Sequence, residues 1–177
     1  MSDDISWYIT LKSTDTLSQG ELINNCPVII PPKKLDQKKY MLNVKQYDVI
    51  IVSQSCDIEQ EKIDYILLCP YYTLSKLEQI SPLFKNPVGK EVLRRGNING
   101  LHLLNVFPEI NEYLVVDFRK VFSIFKTFLI DFISESEKRV ALKSPYKEHL
   151  SQAFARFFMR VGLPSDIPPF ADEIYKL

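Results

Sequence analysis

The sequence predicts one mainly β domain of the α+β class, with a sheet covered by an amphipathic helix near the C-terminus. The run Val-Ile-Ile-Val at residues 49–52 lacks polar alternation, which is typical of a strand buried on both faces. A second apolar run at residues 65–69 follows a short charged loop, which favours a central antiparallel hairpin. Residues 145–161 carry apolar side chains at helical spacing. With 177 residues, the chain has the length of one domain that can bury its own core.

The composition is that of an ordinary globular protein. Hydrophobic residues make up 46% and charged residues 25% of the chain, values that argue against disorder. The 22 basic residues are balanced by 22 acidic ones, so overall charge does not attract nucleic acid or a membrane surface. A local basic patch remains compatible with this balance.

The expected compartment is the cytoplasm. Cys26, Cys56 and Cys69 form an odd set without C-x-x-C spacing, so reduced thiols are expected rather than a disulfide framework. Residues 1–4 are acidic where a secretory signal would be basic. The longest apolar stretch, residues 121–133, is too short to span a bilayer and contains two charged residues, so we expect no membrane partner.

Turn and breaker residues divide the β-rich unit, residues 19–144, into its predicted elements. A turn at Gln19 and Gly20 precedes the first predicted strand, where Pro27 indicates either an edge strand or two short pieces at residues 21–23 and 26–30. The central hairpin comprises strands at residues 47–54 and 63–72, joined by a charged connection at 57–62. A helical insertion at residues 73–96 contains helices at 74–80, with Thr73 as N-cap, and at 87–95. The later predicted strands are residues 101–104, 113–118 and 139–142. Residues 121–125 are expected to continue the sheet from 113–118 through a bend, and residues 128–132 fit either a strand or a helix.

The C-terminal helix is expected at residues 145–162, followed by a surface tail at 163–177. Ser144 is the predicted N-cap and Pro145 the first helical residue, where a missing N–H is tolerated. The apolar stripe that should pack on the sheet consists of Leu150, Phe154, Phe157, Phe158 and Val161.

The polar cluster after the first central strand is the first candidate site. It consists of Ser53, Gln54, Ser55, Cys56 and Asp57. A rigid strand can hold such groups in a fixed direction, with Cys56 as a nucleophile and Asp57 orienting a base. The alternative is a buried Cys56 that acts as a small hydrophobe, with the other side chains stabilising a turn.

His102 and the pair of Asp117 and Arg119 are further candidates. A thiol–imidazole pair of Cys56 and His102 would need an orienting carboxylate, while a histidine among leucines is more often structural. Asp117 and Arg119 are two residues apart on a strand and therefore share a face. They fit a structural ion pair, or Arg119 could stabilise charge that develops on a phosphate.

One face of the C-terminal helix is polar. The residues His149, Gln152, Arg156 and Arg160 are spaced by three, four and four, so they share this face. Arginines in register suit contacts with phosphate or carboxylate, whereas the alternative is a solvated helix face.

The sequence predicts neither a metal site nor a cofactor. The cysteines and histidines lack the paired spacings of a zinc site. The acidic residues at 57–64 lack the glycine and the spacing of a calcium loop. No phosphate-binding glycine motif or nucleophile-elbow motif is present in the sequence.

The order of these features resembles the MazF/PemK-like toxins over residues 19–75. The matching features are the turn and strand at 19–23, a basic loop at 33–39, the strand ending in Ser53, and the strand ending in Cys69 and Pro70. The resemblance implies an SH3-like, partly open barrel and, for active members, sequence-specific RNA cleavage without metal. Two positions depart from the family pattern: Glu21 replaces the usual aspartate, and residues 46–48 lack an arginine that active members place there. The chain also resembles bacterial proteins of unassigned function that share the segments 53–57 and 144–150.

Three functional hypotheses follow from these observations. The first is a nucleic-acid-engaging bacterial protein of toxin–antitoxin or phage-defence type, which as a metal-independent endoribonuclease would use Ser53, Asp57 and Arg119. In this hypothesis Arg156 and Arg160 contact phosphates. The second is a non-catalytic accessory subunit that binds an antitoxin or another defence protein. The third is a cysteine-dependent enzyme that uses Cys56 and His102.

Overall fold

The computed structural model of the chain describes residues 6–12, 14–34, 42–134, 136 and 138–159. Within these residues the chain forms eight β-strands, five α-helices and one 3-10 helix, Pro82–Lys85. The strands are β1 Tyr8–Leu11, β2 Glu21–Ile30, β3 Asn43–Ile51, β4 Tyr65–Thr73, β5 Leu101–Phe107, β6 Glu112–Asp117, β7 Phe122–Phe125 and β8 Arg139–Leu142. The helices are α1 Ser55–Glu59, α2 Leu74–Ile80, α3 Pro87–Arg94, α4 Lys126–Ser134 and α5 Tyr146–Phe158.

The strands form one antiparallel sheet in the order β1-β8-β2-β3-β4-β6-β5, and β7 also pairs with β4. Ile66 to Leu68 of β4 face β7, while Tyr71 to Thr73 face β6. β6 and β7 therefore run along one edge of β4 as a single interrupted strand, which confirms the predicted continuation through a bend. The sheet is not closed, so the mainly β, α+β class is confirmed while the SH3-like barrel stays a prediction.

The end of β3, residues 49–51, is buried on both faces, as its continuous β-branched run predicts. Val49, Ile50 and Ile51 are fully buried, and successive side chains point to opposite faces of the sheet. Ile50 packs in one core with residues of β4, β6, β8 and α5. Val49 and Ile51 pack in a second core that is covered by α1 and α4. A third, smaller core lies between the helical insertion and the outer face of β5 and β6.

The helical insertion forms as its capping residues predict. The Thr73 hydroxyl accepts a hydrogen bond from the Lys76 N–H at 3.3 Å and caps α2. The Asn86 side chain caps α3 in the same way, with Pro87 at the first helical position. These caps are local in sequence, which explains why this part of the fold could be predicted.

Several predicted bounds differ from the structure. β3 begins at Asn43 and ends at Ile51, because its pairing with β2 continues beyond the β-branched run. The charged connection after it forms the short helix α1, and the ambiguous segment at 128–132 lies in helix α4. Pro145, rather than Ser144, occupies the N-cap position of α5, and no side chain caps this helix end. Val161 and the predicted tail at 163–177 lie outside the described residues.

The N-terminal segment contains strand β1, which the sequence did not predict because most residues around Tyr8–Leu11 are polar and its pairing partner lies far away in the sequence. β1 pairs with β8, from Tyr8 opposite Leu142 to Leu11 opposite Arg139. Tyr8 is buried, and its hydroxyl donates a hydrogen bond to the Asn105 carbonyl at 2.7 Å. The pairing therefore depends on contacts with residues that lie far away in the sequence.

A buried ion pair joins β2 to β8. The Arg139 guanidinium donates to the two carboxylate oxygens of Glu21 at 2.7 and 3.0 Å, and only 6% and 1% of the two side chains are exposed. Arg139 also donates to the backbone carbonyls of Lys12, Asp15 and Thr16. This one side chain thus attaches the segment before β2 to the edge of the sheet.

We expect Glu21→Gln to lower the free energy of unfolding by about 3 to 5 kcal/mol, because the Arg139 charge would remain buried without its partner. Urea unfolding at neutral pH measures the change. The control is Glu91→Gln, since Glu91 pairs with Arg94 and Arg95 at the exposed surface and contributes far less. Equal stability of the two variants would contradict this account of the buried pair.

Candidate functional site

The serines of the polar cluster after β3 are engaged within the fold. Ser53 is buried, and its hydroxyl accepts a hydrogen bond from the Leu67 N–H at 2.8 Å. The Ser55 hydroxyl accepts one from the Gln19 N–H at 3.0 Å, while the Gln19 side chain donates to the Val52 carbonyl. These bonds attach the residues that follow β3 to β4 and to the turn before β2. Gln54 is exposed at the N-cap position of α1 and makes no side-chain cap bond there.

Cys56 is exposed at the start of α1, close to two polar side chains. Its Sγ lies 3.8 Å from Asp57 Oδ1 and 3.9 Å from Gln54 Oε1. It lines a shallow cavity of about 350 Å³ that also borders α5. His102 lines a different cavity, so the structure does not bring together the predicted thiol–imidazole pair.

Asp117 and Arg119 form the structural ion pair that was one of the two predicted roles. The guanidinium donates to both carboxylate oxygens of Asp117, at 2.7 and 3.0 Å, and the Arg119 N–H also donates to this carboxylate. The hydrogen bonds to Asp117 raise the pKa of Arg119. Because Asp117 is buried, the pair fixes the chain at the end of β6.

Four of the predicted site residues come together elsewhere, around one cavity of about 650 Å³. His102 reaches it from β5, and His149, Gln152 and Arg156 reach it from α5. The other polar or aromatic side chains in its lining are Trp7, Arg94, Arg95, Asn97, Asn99, Phe118 and Phe157. We call this cavity the basic cleft. Arg160, the fourth residue of the predicted helix face, lies outside the described residues.

Packing of α5 on the sheet orients this polar face. Leu150 is fully buried in the core, and the Phe154 ring meets the Phe118 ring edge-on at 5.5 Å. Phe157 also packs against Phe118, with ring centroids 6.3 Å apart. Phe158 lies at the edge of the predicted stripe and is 60% exposed. With these apolar contacts fixed, the helical spacing places His149, Gln152 and Arg156 at the cleft.

The loop at residues 95–100 forms the opposite wall of the basic cleft. Gly96 and Gly100 adopt φ values of +70° and +80°, which favour glycine. A Cβ atom at Gly100 would lie 2.6 Å from the Arg119 side chain, so this position also requires close approach. The sequence predicts these two glycines only as the boundaries of a helix and a strand. A signal of a structured loop is present, because the glycines flank two asparagines and an isoleucine.

His102 is the least exposed titratable group of the basic cleft. Its Nε2 is buried and has no hydrogen-bond partner among the described residues. Burial, together with the nearby charges of His149 and Arg156, lowers the pKa of His102 to about 4. The imidazole is therefore neutral at pH 7 and lies nearly parallel to the Phe118 ring at 6.0 Å.

The lining of the cleft is cationic. Among the described residues, three arginines line it and no carboxylate does. Arg94 and Arg95 both donate to Glu91 at 2.7 Å, and these bonds lower the pKa of Glu91 to about 2. Arg156 forms no hydrogen bond or ion pair with a described side chain. A guanidinium without a carboxylate partner, beside a histidine and an amide, is suited to binding an anion.

The described residues contain no group of three or more histidine, cysteine or acidic side chains that could hold a metal ion. Within the same part of the chain, no helix combines the length and the apolar character needed to cross a membrane.

Comparison with protein-family models, with curated proteins and with solved structures gave no match to this chain. The assignment of the site therefore depends on its geometry and chemistry.

Burial of the neutral imidazole of His102 predicts an acid-sensitive contribution to stability. The pKa is about 4 in the folded chain against an ordinary value of 6.5, so between these values the unfolded chain binds more protons. This contribution to the free energy of unfolding is complete above pH 6.5 and is lost as the pH falls towards 4. At pH 5 the loss is about 2 kcal/mol. Urea unfolding at pH 7 and pH 5 should show a smaller acid loss for His102→Gln than for the native chain.

The matched control for this experiment is Ile110→Gln, because Ile110 is 50% exposed and does not line the basic cleft, so this variant should leave the acid loss unchanged. An acid loss in His102→Gln equal to that of the native chain would show that His102 does not titrate as its burial requires.

Proposed function

We propose that this chain binds nucleic acid, and RNA in particular, with a backbone phosphate in the basic cleft. The observation that carries the proposal is a nucleotide-sized cavity whose described lining has three arginines, two histidines and no carboxylate. Cavities of this size hold small ligands, and phosphate groups are the anions that arginine forks bind most often in such sites.

Arg156 is the proposed primary phosphate contact. Its charge is not neutralised by a described carboxylate, whereas Arg94 and Arg95 share Glu91. Gln152 lies one turn before Arg156 on α5 and offers an amide donor to the same phosphate. The zero net charge of the chain makes this local concentration of cations the main source of electrostatic attraction.

Two further features favour RNA as the ligand. Nε2 of neutral His102 is buried, so Nδ1 is the ring nitrogen that can accept a hydrogen bond from a hydroxyl group in the cleft, such as the ribose 2′-hydroxyl, which DNA lacks. Trp7 lines the cleft and stacks on Tyr146, with ring centroids 4.1 Å apart and planes within 8°. Such an aromatic pair offers a rigid surface on which an unpaired base can stack.

The resemblance to MazF/PemK-like toxins supports the same substrate class and a setting in toxin–antitoxin or phage-defence systems. In that setting the chain would act in the bacterial cytoplasm together with a protein partner, and its three free cysteines agree with a reducing compartment. The proposal concerns binding. The side chains predicted for metal-free cleavage, Ser53, Asp57 and Arg119, do not line the basic cleft, and Ser53 and Arg119 are bonded within the fold.

We expect Arg156→Gln to weaken binding of a single-stranded RNA oligonucleotide at low salt by about tenfold, since a charge-assisted phosphate contact is lost. The slope of log affinity against log salt concentration should become shallower by about 0.7. Fluorescence anisotropy of end-labelled RNA measures both quantities.

Lys62→Gln is the matched control, because it removes one exposed positive charge that does not line the basic cleft. If both variants weakened RNA binding equally, the effect would come from overall charge and the site assignment would fail. A native chain that bound no RNA at low salt would refute the proposed function.

A further inference from the structure

A second concave surface lies between the β2–β3 hairpin and β7. Its volume is about 920 Å³, and most of its lining is apolar. Ile29 and Val44 line it from the hairpin and are 58% and 59% exposed, while Phe125 lines it from β7 and is 54% exposed. We call this surface the apolar groove. Large exposed side chains gathered in one groove indicate a surface that binds a partner.

The edge of the sheet beside this groove is free. β7 pairs with β4 and with no other described strand. Ser123 lies opposite Leu67. The Leu67 carbonyl accepts a hydrogen bond from the Val52 N–H, so it points towards β3 and away from β7. Because backbone groups alternate in direction along an antiparallel pair, the N–H and C=O of Ser123 point away from β4. An extended peptide could pair with them as an added strand.

The charges around the apolar groove are positive. Lys120 lines it, and its ammonium group bonds to the Tyr72 hydroxyl at 3.1 Å. Exposed Lys33 and Lys34 follow the end of β2, close in sequence to Pro31, which lines the groove. No carboxylate among the described residues lines the groove.

We infer that the apolar groove binds an extended segment of another protein in which apolar and acidic side chains alternate. Its apolar side chains would pack on Ile29, Val44 and Phe125, while its carboxylates would face the surrounding lysines. Charge selects this occupant over a second copy of the chain, because two copies would bring like-charged lysines together. The apolar lining likewise selects a peptide over nucleic acid.

The test uses a fluorescent octapeptide of alternating valine and glutamate, followed by anisotropy with the full chain. We expect saturable binding that weakens with salt and falls by about tenfold or more in Phe125→Glu, because an aromatic contact is lost and a repelling charge is introduced. Ile110→Glu is the matched control, since Ile110 is 50% exposed and lies outside the groove. It should bind the octapeptide like the native chain.

A second pair of variants tests strand addition separately from apolar contact. Ser123→Pro removes the outward N–H and should abolish octapeptide binding, whereas Ser123→Ala keeps this group and should bind normally. Circular dichroism establishes that each variant is folded. RNA binding by Phe125→Glu should equal that of the native chain, which distinguishes this groove from the basic cleft.

Three results would overturn the inference. The first is equal binding of an octapeptide with lysine in place of glutamate, which would remove the charge argument. The second is absence of octapeptide binding by the native chain. The third is a dimer of the native chain in sedimentation equilibrium that Phe125→Glu dissociates, which would make a second copy the occupant of the groove.

Discussion

Burial of the end of β3, residues 49–51, on both of its faces is the constraint on which the rest of the structure depends. Its alternating side chains enter two separate cores, one closed by α5 and the other by α1 and α4. The first core is covered by α5, which lies far from β3 in the sequence and is thereby placed beside β5, while the second is covered by α1, which follows β3, and by α4. Both concave surfaces lie where these covering elements meet the sheet, so their composition follows from how the two cores are closed.

The proposed ligand-binding side chains do not belong to the polar cluster at residues 53–57. Ser53 and Ser55 accept backbone hydrogen bonds from Leu67 and Gln19, which stabilises the exit from β3. The cationic groups gather instead at the basic cleft, where Arg156 meets a loop that follows α3. A buried strand end needs its polar groups for its own backbone, whereas a helix with one apolar face leaves the other free for a ligand.

The elements that the sequence predicted are those with local signals. The β-branched run of β3 and the Thr73 cap of α2 depend on neighbouring residues, and the structure confirms them. Of the predicted stripe of α5, the structure confirms Leu150, Phe154 and Phe157, while Phe158 is exposed. β1 was missed because its pairing with β8 depends on tertiary contacts. Helical spacing predicted that three residues of the basic cleft share one face of α5. Their meeting with His102 and the loop at 95–100 depends on packing, which one sequence does not encode locally.

The central claim is that a phosphate of RNA binds between α5 and the loop at 95–100. Titration of the isotopically labelled chain with a short single-stranded RNA, followed by amide and imidazole NMR signals, tests it most directly. We predict that the signals of Gly100, His102, His149, Gln152 and Arg156 shift together and saturate at one equivalent, while those of the apolar groove stay in place. Saturable shifts confined to another surface, or no shifts at low salt, would contradict the account.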